Sequence, residues 1–458
     1  MLLIFYFTNP PHLVYNQFNE TKGRYLMKLN KLISTVAIKD KLGDFSIDIT
    51  NIHSDSRKIK EGGLFIAING FSKNGVEFIP SAIENGAKAI IVEPDVDIHS
   101  LNINSEIPVI SVENTRKALA QVACEFYEHP SKKLKLIGVT GTKGKTTTTF
   151  MIKSILEEHG YKVGLIGSIA VYINGKKIED TDRTTPESIE IQKYLNQMVE
   201  QETEVAILEV SSQATKLERV TGCDFDIGVF TNLSEDHISP KEHPNMEDYF
   251  NCKLQLLKMA KCGVINQDDE KVRTIQELLP NKPIKTFGID HTADIQANSE
   301  DVIITDSAID FTIHYQGKQE QIEASIPGKF SVYNALGAIT ACAYLDVTAD
   351  EIRTALKDLK VLGRSELVPN PLGITIMIDY AHTPSSLESI LTAVNSYAKG
   401  RVICAWGVGG DRDSAKRPIM GEISGRLADF TVLMSDQVRT EDPLKILKEI
   451  EVRHYPNW

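Results

Sequence analysis

A glycine- and lysine-rich stretch at residues 139–148 carries the side chains best suited to phosphate chemistry. It reads Val-Thr-Gly-Thr-Lys-Gly-Lys-Thr-Thr-Thr, after an apolar run typical of a buried strand and before the apolar spacing of a helix. Glycines let backbone N–H groups and a helix N-terminus approach a polyphosphate, while Lys145 supplies a mobile cation and Thr146 a hydroxyl for Mg²⁺. The pattern predicts a phosphate-binding loop.

The spacing of this loop departs from the strict form G-x-x-x-x-G-K-T. Val139 stands where the first glycine is expected, and the nearest candidate is Gly138. The chain keeps the shorter form Gly-Thr-x-Gly-Lys-Thr. A glycine turn before a surface helix is the alternative interpretation, and the strand and helix on either side favour the phosphate loop.

Two polar clusters follow apolar strands further along the chain. Glu209 lies near the carboxyl end of an apolar stretch and precedes Ser211, while residues 231–237 follow the next stretch and end in His237. Because α/β sheets collect ligand groups at the carboxyl ends of their strands, Glu209 is a candidate Mg²⁺ ligand. His237 is a candidate for a second cation through a neutral ring nitrogen. A hydrogen-bonded loop histidine fits the same spacing equally well.

Other polar residues suit an anionic substrate without being specific for one. Thr184 and Thr185 offer hydroxyls in a loop, and Arg219 adds a cation; all three also suit a plain surface. Lys253 falls in a helical pattern, where composition alone predicts a solvated lysine.

Charged loops follow three successive strand patterns in the last hundred residues. Residues 379–384 carry an acid and an imidazole, residues 407–413 form a glycine-rich turn with Arg412, and residues 436–439 read Asp-Gln-Val-Arg. A ligand-facing rim explains three such loops better than three unrelated surface loops, because ligands gather at the carboxyl ends of sheets.

The elements that must position these groups predict an α/β fold in three domains. Residues 27–130 alternate short strands and helices as a small α/β domain. Residues 131–360 predict a doubly wound, mostly parallel sheet with the phosphate loop at its first strand. Residues 361–458 predict a Rossmann-like α/β domain that is incomplete, since only three strand patterns fit. Residues 1–26 are expected to be a disordered or non-native extension, with a natural start at Met27.

Composition limits the class of protein. The 458 residues suit about three domains, and 42% hydrophobic with 24% charged residues is ordinary for a globular chain. A net charge of −12 argues against a nucleic-acid scaffold, so any anion site must be a local basic pocket. The six cysteines are scattered without a Cys-x-x-Cys pair, which favours a reducing compartment over disulfides or zinc. No apolar stretch approaches the ~20 residues of a membrane span.

In this order the motifs resemble the Mur ligases, and within that family the branch that adds the third amino acid to UDP-N-acetylmuramoyl-L-alanyl-D-glutamate. The resemblance spans residues 27–443. Related folylpolyglutamate synthases share the ATP loop but are not expected to carry the Asp-Ser-Arg of residues 55–57 or the Asp-Tyr-Ala-His-Thr-Pro of residues 379–384. Because the chain carries both of these motifs as well as the ATP loop, the resemblance is specific to the Mur ligases.

The resemblance implies an ATP-dependent, amide-forming ligase of peptidoglycan synthesis that works through an acyl phosphate. Lys145, Glu209, His237 and Lys253 would be catalytic. Metal would be held by Thr146, Glu209, His237 and Lys253, the last as a carbamate, because an ammonium repels Mg²⁺ whereas a carbamate offers an anionic oxygen. ATP would be bound by Gly141, Thr142, Lys143, Gly144, Lys145, Thr146, Thr147, Asn334, Arg364 and His382.

The resemblance also assigns the substrate contacts. The UDP-muramoyl dipeptide would meet Ser54, Ser56, Thr184, Thr185, Ser211 and Arg219, and the added amino acid would meet Arg412, Asp436 and Arg439. Forms specific for meso-diaminopimelate carry Asp-Asn-Pro-Arg at this last position, and Arg439 is kept here while Gln437 and Val438 replace Asn-Pro. Diaminopimelate is therefore favoured over L-lysine, which stays the alternative.

One departure from the family bears on activity. Family members continue to a Lys-Gly-His-Glu segment whose glutamate contacts the incoming amine, and the chain has no such segment. The chain is expected to be C-terminally truncated, and a catalytically impaired paralogue that only binds the nucleotide precursor is a further alternative. The family also implies a cytoplasmic monomer with small-molecule substrates and neither nucleic-acid nor membrane partners.

Overall fold

A computed structural model of the chain describes residues 2–4, 26–70, 73–101, 103–236, 238–239, 242–411 and 413–451. Its sheets follow one another along the chain, apart from an initial strand, β1 (Leu2–Ile4). The predicted α/β class with three successive domains is confirmed. The predicted domain boundaries stay a prediction.

The first domain is a five-stranded sheet with helices on its faces. Its order is β3-β8-β7-β6-β5, in which only β3 is antiparallel to its neighbour. Apolar side chains of α1, α3 and the sheet form its main core. The elements are β2 (Met27–Lys28), α1 (Leu29–Leu32), β3 (Ile38–Leu42), β4 (Asp48–Ile49), β5 (Asn51–His53), β6 (Gly63–Ile66), α2 (Ile79–Glu84), β7 (Ala87–Val92), β8 (Val109–Val112) and α3 (Thr115–Phe126).

The central domain is built on a nine-stranded sheet. Seven of its strands run parallel. An antiparallel hairpin of β11 and β12, which was not predicted from the sequence, forms one edge of the sheet. The elements are β9 (Lys135–Thr140), α4 (Lys145–Glu158), β10 (Val163–Ile166), β11 (Ala170–Ile173), β12 (Lys176–Asp180), α5 (Ser188–Glu200), β13 (Val205–Glu209), α6 (Ser212–Lys216), β14 (Ile227–Phe230), α7 (Met246–Met259), β15 (Cys262–Asn266), α8 (Ile275–Leu278), β16 (Ile284–Gly288) and β17 (Ile295–Gln296).

Both faces of this sheet are covered, which is why its strands read as continuous apolar runs. One face packs against α4 and the other against α5 and α7. The strand order β12-β11-β10-β13-β9-β14-β15-β16-β17 places β9 between β13 and β14. The loops that leave these three strands therefore meet at one edge. The predicted doubly wound, mostly parallel sheet is confirmed.

A small antiparallel sheet and two helices complete the α4 side. They are β18 (Ile303–Ile304), β19 (Ile309–Tyr315), β20 (Lys318–Ala324), α9 (Lys329–Cys342) and α10 (Ala349–Lys357). Alternate residues of β19 are buried in the same core as α4 and α9. This layer holds α9 beside the phosphate loop.

The third domain has a five-stranded sheet in the order β21-β22-β1-β23-β24. All neighbours are parallel except β21 and β22. Its further elements are β21 (Glu366–Leu367), β22 (Ile376–Ile378), α11 (Pro384–Tyr397), β23 (Ile403–Trp406), α12 (Lys416–Leu427), β24 (Phe430–Leu433) and α13 (Pro443–Ile450).

The first strand departs from the sequence-based expectation. Residues 1–26 were expected to be disordered or non-native, yet β1 pairs in parallel with both β22 and β23. β22 and β23 do not pair with each other, so the backbone N–H and C=O groups on their facing edges need other partners. β1 lies between the two strands and supplies these partners. Among the described residues, no helix has the length and apolarity that crossing a membrane requires.

Candidate active site

The phosphate loop joins β9 to α4 at the carboxyl edge of the central sheet. Gly141 and Gly144 have φ values of 147° and 84°. A Cβ would lie 2.0 Å from the Thr231 hydroxyl oxygen at Gly141 and 2.2 Å from Asn334 Oδ1 at Gly144. Glycine is required at both positions for space and for backbone conformation. The loop thus has the open, N–H-lined form that binds a polyphosphate.

Lys145 is folded back over this loop. Its Nζ donates to the carbonyl oxygens of Gly141 at 2.9 Å and Thr142 at 3.1 Å. Burial lowers the pKa of Lys145, while the charge of Glu209 acts in the opposite direction. Within the described part of the chain, the hydrogen-bond partners of this cation are neutral carbonyls, so it is available to an anion that enters the loop.

Glu209 ends β13 and is fully buried. Its carboxylate accepts hydrogen bonds from the Thr146 hydroxyl at 3.0 Å, the Ser168 backbone N–H at 2.8 Å and the Ser168 hydroxyl at 3.0 Å. Gly167 leaves the space for this, since a Cβ there would lie 2.2 Å from the carboxylate. The predicted pair of oxygen donors, Thr146 and Glu209, is in contact.

Lys253 reaches the same loop from α7. Its Nζ donates to the Gly141 carbonyl at 2.7 Å and lies 4.4 Å from the centre of the Tyr249 ring. The residue is 1% exposed, so the solvated lysine that composition predicts is wrong: α7 packs onto the sheet and turns this side chain inward. Burial lowers the pKa of Lys253 well below its usual value, and Lys145 lowers it further.

A buried hydrogen-bonded chain fixes α7 against α6. His243 Nδ1 lies 2.7 Å from the Asp248 carboxylate and Nε2 lies 2.9 Å from the Ser212 hydroxyl. The His243 side chain is fully buried. Because Asp248 belongs to α7 and Ser212 follows β13 closely, this chain links the helix that carries Lys253 to the segment that follows Glu209.

The hydroxyl residues named from the sequence form one connected group beside Glu209. The Thr185 hydroxyl donates to the Glu209 backbone carbonyl at 2.8 Å and accepts the Ser211 N–H at 3.0 Å. Thr184 accepts from Ser168 at 3.1 Å, and Arg219 donates to the Thr185 carbonyl at 3.1 Å.

The third domain contacts the loop directly. Arg364 Nη2 donates to the Thr146 hydroxyl at 3.2 Å, and its guanidinium lies 4.8 Å from the centre of the Tyr380 ring. Lys143 donates to Ser389 of α11 at 3.3 Å. His382 Nδ1 donates to the Tyr380 carbonyl at 3.1 Å. Loop, α9 and third domain therefore surround one cleft.

Other sequence-derived residues lie apart from this cleft or outside the described region. Ser54 and Ser56 lie after β5 in the first domain, where Lys58 approaches Glu190 of α5 at 4.0 Å. Asp436 and Arg439 lie after β24 in the third domain. His237 and Arg412 fall outside the described residues, so their assignments stay predictions. Thr147 is buried in the first turn of α4.

Three contributors were missing from the sequence-derived list of site residues. Ser168 makes two of the hydrogen bonds to Glu209. Burial lowers the pKa values of Lys143, Lys145 and Lys253, and the negative charge of Asp236 raises all three. Lys416 donates to the His382 carbonyl at 2.9 Å. Ser168 and Asp236 follow the ends of strands, and Lys416 begins a helix. These positions in the sequence pattern are the signal that could have identified the three residues.

Family models match three parts of the chain. Residues 48–127 match the Mur ligase family catalytic domain, residues 139–342 the Mur ligase middle domain, and residues 363–458 the Mur ligase glutamate ligase domain. These ranges contain most strands of the three main sheets, together with the phosphate loop, α9 and Arg364.

Curated relatives are similar over most of their length. A UDP-N-acetylmuramoyl-L-alanyl-D-glutamate–2,6-diaminopimelate ligase of Clostridium acetobutylicum is 43% identical over 93% of this chain and 86% of its own. The corresponding ligase of Clostridium botulinum is 44% identical over 88% of this chain and 82% of its own length. The expected C-terminal truncation stays a prediction.

Solved structures agree on the fold. A structure of a UDP-N-acetylmuramoyl-L-alanyl-D-glutamate–2,6-diaminopimelate ligase superposes with a TM-score of 0.70 and 25% identity, covering 94% of this chain and 86% of that one. A MurF ligase of Thermotoga maritima in complex with ADP has a TM-score of 0.59 and 19% identity, covering 88% and 86%.

Proposed function

Because the chain belongs to the Mur ligase family, we propose that it adds meso-diaminopimelate to UDP-N-acetylmuramoyl-L-alanyl-D-glutamate, with ATP converted to ADP and phosphate. The curated relatives carry this activity in their names. The observation that carries the proposal is the meeting of Lys145, Glu209 and Lys253 around Gly141 and Thr146. The reaction belongs to peptidoglycan synthesis, and we assign the chain to the cytoplasm as a monomer.

The proposed chemistry activates a carboxylate by phosphorylation. An oxygen of the terminal D-glutamyl carboxylate bonds to the γ-phosphorus of ATP, and ADP leaves. The diaminopimelate amine then attacks the acyl phosphate carbon, phosphate leaves with that oxygen, and the amine loses a proton. The phosphate loop and Lys145 hold the polyphosphate and stabilise the charge that develops on its oxygens.

The donors present fit Mg²⁺. Glu209 and the Thr146 hydroxyl are in contact, buried and made of oxygen, which is the ligand type that Mg²⁺ prefers. His237 is assigned the second metal by family position. When bound, Mg²⁺ neutralises charge on the transferring phosphoryl oxygens.

Lys253 fits this site only after chemical change. As an ammonium 1% exposed beside Lys145, it opposes a divalent cation. Its lowered pKa favours the neutral amine, which is the form that reacts with CO₂ to give a carbamate. We therefore assign Lys253 as a carbamylated metal ligand. Glu209, Lys145 and Lys253 are the described catalytic residues of the proposal.

The remaining roles follow from position. ATP is assigned to residues 141–147 with Asn334, Arg364 and His382, which border the loop from α9 and the third domain. The muramoyl dipeptide is assigned to Ser54, Ser56, Thr184, Thr185, Ser211 and Arg219. The incoming amino acid is assigned to Arg412 and to residues 436–441, the recognition loop, in which Asp436 suits an ammonium and Arg439 a carboxylate.

A substrate panel tests the proposal. The full chain is incubated with ATP, Mg²⁺, bicarbonate and the UDP-muramoyl dipeptide, together with meso-diaminopimelate or L-lysine, and with dihydropteroate as an alternative acceptor. We expect ADP and a nucleotide-tripeptide in equal amounts with diaminopimelate. Turnover with lysine alone or with the pteridine alone contradicts the assignment. Calorimetric binding of the dipeptide nucleotide without turnover identifies a catalytically impaired paralogue.

A further inference from the structure

The guanidinium of Arg417, near the start of α12, is buried between two carboxylates. Nη1 and Nη2 each donate to the Glu441 carboxylate at 2.9 Å, and Nη1 also donates to Glu449 of α13 at 2.5 Å. The Arg417 side chain is fully buried, while those of Glu441 and Glu449 are 23% and 35% exposed. The hydrogen bonds from Arg417, and after them the one from the Asp411 N–H, lower the pKa of Glu441 to about 2. The carboxylate therefore stays ionised and paired at neutral pH.

The same contacts join the loop after β23 to the recognition loop after β24. The Asp411 N–H donates to the Glu441 carboxylate at 2.6 Å, and the Asp411 carboxylate accepts the Thr440 hydroxyl at 2.6 Å and N–H at 3.2 Å. The Gly410 N–H donates to the Gln437 carbonyl at 2.9 Å. Arg417 thus holds Glu441, while Asp411 holds the preceding residue, Thr440.

Each of the two joined loops holds a non-glycine residue in the left-handed region. Asp411 has a φ of 54° and Arg439 a φ of 52°. Such residues persist only where surrounding contacts over-determine the backbone, and they concentrate at ligand-binding sites. Arg439 lies directly before Thr440 and Glu441, which are held by Asp411 and Arg417. The buried guanidinium therefore acts on the conformation at Arg439 through these two residues.

Stability alone does not account for this arrangement. Taking the guanidinium out of water costs nearly as much as its attraction to the two partly exposed carboxylates returns, and apolar replacements of buried ion pairs are often neutral or stabilising. Two parallel hydrogen bonds from a planar guanidinium do, however, fix the orientation of the carboxylate that accepts them. The neighbouring residue Lys416 contacts the His382 carbonyl on the nucleotide side, so α12 begins between the two ligand regions.

We propose that Arg417 is a positioning residue for selection of the incoming diamino acid. By holding Glu441 and Thr440 it keeps the recognition loop in the conformation that presents Asp436 and Arg439 to the distal ammonium and carboxylate of that substrate. This inference rests on the proposed function, since it takes the recognition loop as the amino-acid site. Arg417 itself does not touch the substrate.

Steady-state kinetics and amide hydrogen exchange of the full chain test the proposal together. The Arg417→Met variant removes the fork, and Arg417→Lys keeps the charge without bidentate geometry. Arg426→Met is the matched control, because Arg426 lies on the same helix and pairs with Glu388 while 46% exposed. Glu449→Gln weakens the same cluster more gently and serves if Arg417→Met does not fold.

We expect Arg417→Met to raise the KM for diaminopimelate about 10-fold or more, with KM for ATP within about twofold. Residues 435–441 should exchange faster than in Arg426→Met, and Arg417→Lys should recover part of both losses. The exchange comparison holds even if the wild-type chain does not turn over, which separates this inference from the proposed function. Unchanged exchange in residues 435–441, or equal rises in the KM values of diaminopimelate and ATP, overturns it.

Discussion

Nζ of Lys253 donates to the carbonyl of Gly141 across 2.7 Å, from a helix that begins more than a hundred residues after the loop. This bond ties α7 to the residue that opens the phosphate loop. It also places an amine with a lowered pKa where the proposal needs a metal ligand. The chemical state of Lys253 is therefore tied to the conformation of the nucleotide site.

Treatment with ¹³C-bicarbonate should give one carbamate signal that depends on Lys253. A buried amine with a lowered pKa is neutral at a pH where exposed lysines are charged, and only the neutral amine reacts with CO₂. The NMR signal should vanish in Lys253→Met and persist in Lys258→Met, whose lysine is exposed on the same helix. A carbamate signal that survives Lys253→Met contradicts the assignment.

Replacing Gly144 by alanine should abolish nucleotide binding. The new Cβ would lie 2.2 Å from Asn334 Oδ1 on a backbone with φ of 84°, so the loop must shift where it should contact phosphate. Gly160→Ala, after the same helix, is the control, because its φ of 98° imposes similar backbone strain with no atom within 4 Å of the Cβ. Both should lose about 1 kcal/mol of stability from the backbone.

Fluorescence titration with a labelled adenine nucleotide separates the two glycine variants. Gly160→Ala should bind as the wild type does, and Gly144→Ala should show no saturation. Equal affinity of both variants would mean that phosphate does not enter the loop at Gly144.

The Glu209→Gln variant should lose about 100-fold or more in turnover and require more Mg²⁺ for half-maximal rate. The change removes a negative charge from the position assigned to the metal while keeping the side-chain shape. Glu204→Gln, at the exposed start of the same strand region, should leave the Mg²⁺ requirement unaltered. A Mg²⁺ titration of ADP release measures both, and an unshifted midpoint in Glu209→Gln argues against its role as a ligand.

The first domain should lose stability as the pH falls from about 6.5 to about 4. Burial, and after it the charge of Lys58, lowers the pKa of His53 to about 4, and Nδ1 accepts from the Asp55 N–H at 3.4 Å. Because the unfolded chain binds the proton first, the free energy of unfolding decreases through this window and levels off below it.

At ~1.4 kcal/mol per pKa unit the effect on the free energy of unfolding is at most about 3.5 kcal/mol, and solvent screening of the half-buried ring makes it smaller. Urea unfolding at a series of pH values should show a flatter pH dependence for His53→Gln than for the wild type. Parallel curves for the two proteins would mean that His53 is not held in its neutral form by the fold.

Local pattern was enough to locate the centre of the site. The apolar run before Gly141, the Gly-Lys-Thr step and the helix after it specify strand, loop and helix with little help from the rest of the chain. Glu209 could be placed beside them because parallel strands end at one edge. These inferences depend on sequence spacing alone, and the Thr146–Glu209 contact agrees with them.

What the sequence reading missed depends on tertiary packing or on weak patterns. Composition alone predicts a solvated Lys253, and only the family resemblance assigned it to the site, because its burial comes from the docking of α7 on a distant loop. Ser168 follows a strand as an ordinary Gly-Ser turn, and only the fold brings it to Glu209. The alternation of buried and more exposed residues in β19 is typical of a strand, but no strand was predicted there. No local signal distinguishes Arg417 from a surface arginine.

The most direct test of the account follows oxygen through the reaction. The UDP-muramoyl dipeptide is prepared with ¹⁸O in its terminal D-glutamyl carboxylate and incubated with the chain, ATP, Mg²⁺ and meso-diaminopimelate. The account predicts one ¹⁸O atom in the released phosphate for each nucleotide-tripeptide formed, because the carboxylate oxygen leaves with the phosphoryl group. Product formation with ¹⁸O-free phosphate would contradict phosphorylation of the carboxylate at this site.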